Sequence, residues 1–508
     1  MLVLAGRQTL PELLDEADEH ALALVNTSRQ GLTYGQLRDQ CGRMRDLLAR
    51  RGIATHDTVA VALPNSAATA ALLTALVSCC RVAPLNPAST RSEFAFALRD
   101  TSAKVLITSD ALAEAIAAAR DCGIETMRML PVVARPGTFE LECDTSSFQR
   151  GAESALPEPD DIALVLHTSG TTARPKLVGI THRSLVLSAR SVAETLQLGP
   201  ADTCLSIMPL FHVHGFVAGL FASFARSATV CSAPGFNAMA FTSWLESSGA
   251  SWYTAAPAMH QAILSRLRAG PLKRGQHRLR LIRSCSSTLY PKVWTELQSA
   301  FGVAVLNAYG MTEAAHQVSS VRWPGSSCTS VGQSSGPDIG IMNSEGGLLP
   351  TGDVGEVVLR GPQIISAYLQ PKDANGAAFC RGWFRTGDQG YLDSSGALAL
   401  TGRLKELIDC GGDKVSPYEV EEVLLRHPGV DQAVAFGRRD ALRGEVVVAA
   451  VVMRDGWQVP ERELLRLAAE HLARPKQPRR IVFLSRIPQA GTGKVQRLGL
   501  AQRLGVGS

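Results

Sequence analysis

The chain has 11 cysteines in 508 residues, yet no C-x-x-C occurs. Cys79 and Cys80 stand together, the others are scattered, and the total is odd. Neither a zinc site nor a disulfide framework is indicated, and reduced thiols in a cytoplasmic protein are expected. No long Lys/Arg run is present, charged residues make up 19 %, and the formal net charge is +5. Nothing there argues for a nucleic-acid partner. The apolar start "MLVLAG" is too short for a signal peptide, and acidic residues soon follow. The longest uncharged stretch, "VAVALPNSAATAALLTALVSCC" (59–80), is broken by Pro64, Asn65 and Ser66. It reads as a strand, a turn and a buried helix, not a membrane span. Internal repeats and low-complexity tracts are also lacking. What remains is a long chain with 45 % apolar residues, enough for two or more globular units.

Short apolar runs alternate with longer helical patterns. "DTVAVAL", "AKVLITS", "DIALVLH", "TCLSIM", "LRLIRSC" and "VAVLNAY" read as buried strands of a parallel sheet covered on both faces. "AFTSWLESSG" and "PKVWTELQSAF" read as intervening helices, so the class is α/β. After about residue 320, "GEVVLRG" and "GYLDSSGALALTGR" suggest a smaller, mostly antiparallel β unit with a hairpin at Ser394-Ser395-Gly396. From Arg403 a compact α/β pattern restarts, with the amphipathic "YEVEEVLLRH" followed by "DQAVAFG", "EVVVAAVVM", "ERELLRLAAEHLA" and "RRIVFLSRIP". The expected division is therefore 1–402 and 403–508.

Five loops carry candidate chemistry. "HTSGTTARPKLVGITH" (167–182) follows a strand and offers Thr168, Ser169, Gly170, Thr171, Thr172 and Lys176. Its hydroxyls, backbone N–H groups and lysine suit phosphate oxygens, and glycine permits their close approach. It is not the G-x-x-x-x-G-K-[ST] pattern, and on its own it reads equally well as a polar surface turn. "NAYGMTEAAH" (307–316) adds Tyr309, a ring able to stack on a purine, with Thr312 for phosphate and Glu313 for Mg²⁺. "WFRTGDQGY" places Asp388 in a glycine-flanked turn suited to ribose hydroxyls; "TGRLKELI" adds Arg403 and Lys405; "PQAGTGKVQR" holds Lys494. Each alone is a solvated loop charge. Their succession in this order is not readily explained that way.

With these motifs, from about residue 10 to 500, the chain resembles the adenylate-forming superfamily of acyl-CoA synthetases, luciferases and adenylation domains. The resemblance implies a large N-terminal domain of two doubly wound α/β subdomains plus a small β unit, and a small mobile C-terminal α/β domain. It implies that 168–176 holds the β,γ-phosphates, Tyr309 stacks on adenine, and Thr312 contacts phosphate. Glu313 is then the Mg²⁺-associated glutamate, while Asp388 and Arg403 contact ribose. Lys405 takes the hinge position, Lys494 bridges carboxylate and phosphate, and Gly411-Gly412 line the CoA tunnel. The implied chemistry consumes ATP with Mg²⁺: an acid attacks the α-phosphorus, pyrophosphate leaves, and the acyl group passes from AMP to CoA.

"MPLFHVHGF", "RSCSSTL" and "MTEAAH" should line the acid pocket and bring His212, His214, Ser286 and His316. Imidazoles and hydroxyls suit a small anion better than a fatty chain. A histidine near a second carboxylate is expected to hold a proton there and pair with it. His212 alternatively gates the pocket and His214 packs structurally. These stretches, with "WYTAAPAMHQAIL", most resemble the oxalate–CoA ligase branch, so an oxalate-like dicarboxylate is the leading expectation. Malonate, or nitrite passed to an amine as in ATP-dependent diazotases, is the alternative, with a carrier protein as another acceptor. A non-catalytic nucleotide binder is the reading that Lys494, Glu313 and Asp388 argue against. Small-molecule partners are expected, without a membrane. Leu177 and Ala173 replace the family's usual glycines, and the bulk of Leu177 is expected beside the phosphate loop, at a position where φ > 0 would be costly.

Overall fold

A computed structural model describes residues 8–143, 155–168, 175–267, 277–440, 443–488, 495 and 497–506. Four sheets organise them. The first has a parallel core of Thr58–Ala62, Arg81–Leu85, Ala103–Thr108, Glu125–Pro131 and Ile162–His167, with antiparallel strands Phe139–Cys143 and Leu177–Thr181 at its edges. The second runs parallel through Leu22–Val25, Thr229–Ser232, Thr203–Ser206, Trp252–Ala255, Leu281–Ser284 and Ala304–Met311. The apolar runs expected to be strands fall in these two sheets.

The stretch 59–80 shows why the two sheets pack together. Thr58–Ala62 is buried throughout, Ser66 caps the following helix by accepting the Thr69 N–H at 3.0 Å, and Ala67–Val77 is buried on every face. That helix touches strands of both sheets. An all-round apolar helix is stable in water only when covered this way. No described helix is long and apolar enough to cross a membrane.

The third sheet, Asp338–Met342, Gly355–Arg360, Phe379–Cys380, Trp383–Leu392 and Leu398–Arg403, is antiparallel throughout. The short turn Leu404–Glu406 leads from it into the fourth sheet, built between Ile408 and Phe483. There Gly444–Met453 pairs antiparallel with Val430–Asp440 and parallel with Ile481–Phe483. Helices Pro417–Leu425 and Glu461–His471 complete this unit.

Candidate functional site

A cavity of about 670 Å³ opens where the second, third and fourth sheets meet. Ala304–Met311 and Leu281–Ser284 deliver their carboxyl ends to it, the usual place for ligands in a parallel α/β sheet. Thr168, Lys176, His212, Ser286, Tyr309, Thr312, Glu313, His316, Asp388, Arg403 and Lys405 all line it. Residues nearly 240 positions apart in the chain thus share one wall.

One end is built around Asp388. Its carboxylate, 5 % exposed, accepts the Tyr309 hydroxyl at 2.5 Å and pairs with Arg403 Nε at 2.8 Å. Asp388 and Arg403 are register partners on adjacent strands. The glycine-flanked turn expected at Asp388 is instead part of the strand Trp383–Leu392, where Thr386 Oγ1 accepts the Asp388 N–H at 3.0 Å and donates to the Val357 carbonyl at 2.7 Å. Burial, then the neighbouring Asp388 charge, raises the Tyr309 pKa and keeps its phenol a donor.

Glu313 lies nearby on the turn Thr312–Ala314, 8 % exposed. One carboxylate oxygen accepts the Tyr368 hydroxyl at 2.8 Å. The Lys176 ammonium sits 4.3 Å from the Tyr368 ring centroid. Partial burial lowers the Lys176 pKa, Glu313 opposes that, and Lys405 reinforces it. Tyr368 therefore joins the lysine to the glutamate, a role its isolated position in the sequence did not signal. No group of three or more His, Cys, Asp or Glu is placed to hold a metal among the described residues. A lone buried carboxylate with free acceptor capacity fits Mg²⁺ carried mainly by phosphates and water.

Of the phosphate loop, Ser169, Gly170, Thr171 and Thr172 lie outside the described residues, but its stem does not. Thr168 donates its N–H to the Lys176 carbonyl at 2.8 Å, and Lys176 returns its N–H to Thr168 Oγ1 at 3.3 Å. Leu177 follows this stem as a strand residue. It pairs with His167 and exchanges backbone hydrogen bonds with the 369–370 segment at 2.7 and 2.8 Å. Its side chain is buried and is not part of the cavity wall, and its φ is not positive. An extended strand position has no need of glycine.

The other end holds the imidazoles. His316 lines the cavity with only 2 % exposure and stacks on His214, ring centroids 5.0 Å apart. His214 is not itself on the wall. It stands behind Ser286, with Nδ1 at 2.8 Å from Ser286 Oγ and Nε2 at 2.6 Å from Thr254 Oγ1. Ser286 and His316 both adopt positive φ, 80° and 103°, and Ala315 has φ 50°. Such backbones cost about 1–3 kcal/mol each and gather at functional sites. Gly310 makes the His316 conformation possible, since a Cβ there would lie 1.9 Å from the His316 carbonyl oxygen.

Without a bound acid, the imidazoles are uncharged. Burial lowers the pKa of both His214 and His316, and the Arg283 charge adds to this in each. Both rings are therefore neutral near pH 7, and the local cation is Arg283. The second of two arginines in the run "LRLIRSC", directly after Leu281-Ile282, was the available signal for it.

The fourth sheet closes the cavity. Tyr290 donates its hydroxyl to the buried Glu421, while Lys292 Nζ donates to the carbonyls of Leu425, His427 and Val430 at 2.8, 3.2 and 2.9 Å. Arg497 pairs with Glu406 at 2.7 Å and Glu421 at 2.9 Å, its guanidinium 4.5 Å from the Tyr418 ring centroid. Lys494 lies outside the described residues, but Val495 and Arg497 line the cavity. Gly411 and Gly412 do not; they form an exposed hairpin turn with φ 71° and 100°.

Comparison with known proteins follows this geometry. Residues 15–369 match the AMP-binding enzyme family and residues 419–494 its C-terminal domain. The oxalate–CoA ligase of Arabidopsis thaliana is 39 % identical over 488 residues, covering 94 % of this chain and 95 % of that protein. The sulfoacetate–CoA ligase of Cupriavidus necator is 34 % identical over 481 residues, covering 93 % and 92 %. Among solved structures, ATP-bound MatB from Rhodopseudomonas palustris superposes with a TM-score of 0.86 at 25 % identity, covering 98 % of each chain.

Proposed function

We propose, for a chain that belongs to the AMP-binding enzyme family and is an AMP-forming acid–CoA ligase, that its acid carries a second anionic group, with oxalate the leading candidate. The enzyme adenylates a carboxylic acid with ATP and transfers the acyl group to CoA, using Mg²⁺. The observation supporting the finer reading is the polar acid end of the cavity, where His316 and Ser286 are held in strained backbone conformations. Such strain is retained where it aims side chains at a ligand. The relatives named for oxalate and for sulfoacetate both act on acids with a second anionic group. An amine or carrier protein as acceptor is not favoured by relatives that are named CoA ligases.

Roles follow for the residues on the wall. Tyr309 stacks on adenine, and Asp388 turns to the ribose hydroxyls with Arg403 at its side. Thr168, Lys176, Thr312 and the loop between 168 and 176 hold the phosphates. Glu313 is the residue that would hold Mg²⁺, which supplies positive charge against the developing pyrophosphate. His316, Ser286 and His212 receive the acid, and His214 supports Ser286 from behind. Lys494, carried in beside Val495, offsets repulsion between the acid's carboxylate and the α-phosphate. Attack there forms the C–O–P bond of the acyl-adenylate and expels pyrophosphate. Rotation about Lys405 then withdraws Lys494 and brings Gly411-Gly412 to the cavity, where the CoA thiol displaces AMP.

The deciding experiment is a panel of small acids, with AMP release measured with and without CoA, on the wild type and His316→Ala. CoA-dependent release with oxalate or another two-anion acid, lost in His316→Ala far more than release with a monoacid, is the expected result. A wild type that turns over only monoacids overturns the reading, as does CoA-independent release with nitrite and an amine.

A further inference from the structure

Arg283 is fully buried in the middle of the strand Leu281–Ser284, and no carboxylate among the described residues forms an ion pair with it. Its contacts among the described residues are polar side chains, the Cys285 thiol included, with no carboxylate. One terminal nitrogen lies 3.0 Å from His316 Nε2 and 3.0 Å from Gln317 Oε1. The other lies 3.2 Å from Thr254 Oγ1 and 3.4 Å from His214 Nε2. A buried cation without a counter-charge is expensive unless something in the working cycle supplies one.

The direction of these hydrogen bonds is fixed by chemistry. A guanidinium has only donors and stays protonated in proteins. His316 Nε2 must therefore be an acceptor, so a neutral His316 carries its hydrogen on Nδ1, and that ring lines the cavity. The approach of the other Arg283 nitrogen to His214 Nε2 at 3.4 Å likewise makes that atom an acceptor, and the Thr254 hydroxyl, which itself accepts from Arg283, can donate its own hydrogen to it at 2.6 Å. His214 then carries its hydrogen on Nδ1 and donates it to Ser286 Oγ at 2.8 Å. With Oγ accepting from behind, the Ser286 hydroxyl hydrogen is free to point into the cavity that Ser286 lines.

We propose that Arg283 is a positioning residue that sets the tautomers of His214 and His316, so that the His316 N–H and the Ser286 O–H are both presented as donors to the second anionic group of the acid. This rests on the reading that the acid carries such a group. The arriving anion also furnishes the counter-charge that Arg283 lacks, across one imidazole. A monoacid does neither. Arg283 thus selects for charge without touching substrate, and Gln317 holds its guanidinium in place. Gln317 in turn is oriented through its amide nitrogen, which donates at 3.2 Å to Ser191 Oγ and 3.2 Å to Thr195 Oγ1.

Two measurements on the full chain test it. In ligand-free wild type with ring-¹⁵N histidine, His214 and His316, assigned with His214→Gln and His316→Gln, should both give Nδ1–H tautomers at pH 7.5. An Nε2–H tautomer or a charged ring at either position overturns the proposal, whatever the substrate proves to be. In kinetics, Arg283→Met should raise KM for the two-anion acid by roughly 10- to 100-fold, the loss expected for charge-assisted hydrogen bonds. KM for a monoacid should change less than about 3-fold on the same scale. Equal loss for both acids overturns the proposal. Should Arg283→Met fail to fold, Arg283→Lys is used, which keeps the charge but not the fork; a rise in KM confined to the two-anion acid is expected, and an equal rise for both acids overturns it. A wild type that uses no two-anion acid removes the functional reading instead, while the tautomer result still decides the role of Arg283.

Discussion

Tyr309 donates its hydroxyl to Asp388 at 2.5 Å, across two sheets and 79 positions of sequence. Two groups assigned to different parts of one nucleotide thus hold each other before any nucleotide arrives. Tyr309→Phe should keep the ring but leave Asp388 with one fewer donor. A stability loss of about 1.5–3 kcal/mol is expected for a hydrogen bond to a charged group, with ATP KM rising only a few-fold. Tyr309→Leu should raise ATP KM by roughly 10-fold or more by removing the stacking face as well. Denaturant midpoints and ATP titrations check this; identical ATP KM values in the two variants would remove stacking from the account.

Lys494→Ala should abolish ATP–pyrophosphate exchange while sparing attack of CoA on preformed acyl-adenylate. Val495 and Arg497 line the cavity, whereas Gly411 and Gly412 are exposed and away from it. That placement suits the adenylating arrangement. Loss of both half-reactions together would contradict a two-arrangement cycle.

Lys292 ties the helix Pro417–Leu425 and the chain after it to the helix Pro291–Phe301 through three carbonyls. A cation at a helix C-terminus completes orphaned acceptors and opposes the helix dipole. Lys292→Met should slow adenylation by roughly 10-fold, the scale of one or two such bonds, and leave thiolysis of acyl-adenylate unchanged. Stopped-flow of each half-reaction reads this directly. Unchanged adenylation would show that the contact does not hold the arrangement.

Leu177→Gly should not accelerate adenylation. The residue is 3 % exposed on a strand, so its removal leaves a cavity and a looser backbone, worth about 2–5 kcal/mol of lost stability. A lower melting temperature with an unchanged single-turnover rate is the expected pair of results. A faster variant of undiminished stability would restore the view that Leu177 encumbers the phosphate loop.

Acid should destabilise the fold below about pH 6.5. Burial holds His182 down to about 4 and His260 down to about 3, and lowers His214 and His316 as well. Their folded pKa values lie below the unfolded value of 6.5, so the unfolded chain gains protons first as pH falls. Each such histidine then removes up to about 1.4 kcal/mol per pH unit between 6.5 and its folded pKa. Urea denaturation at pH 7.5 and 5.5 should show the loss. His182→Gln, which cannot titrate, should make the slope shallower; an unaltered slope would exclude His182 as a contributor.

The α/β class and the strand runs in the two parallel sheets were legible because fully buried parallel strands are continuously apolar. The segments bearing Thr168, Tyr309, Asp388 and Arg403 were legible because each motif is local in sequence, although the last three residues stand on strands and not in loops. Tertiary structure alone decided the rest. It placed Leu177 in a strand by pairing it with His167 and Gln370. It kept His214 and His316 neutral, because a pKa depends on burial and on a neighbouring cation that no motif records. It put His316 on a left-handed backbone against Gly310, and joined Tyr290 to Glu421 across 131 positions. Arg283 shows the division most clearly. The sequence displays a charge directly after Leu281-Ile282, but only the fold surrounds it with imidazoles instead of a carboxylate, because contacts between distant segments are set by packing and not by spacing along the chain.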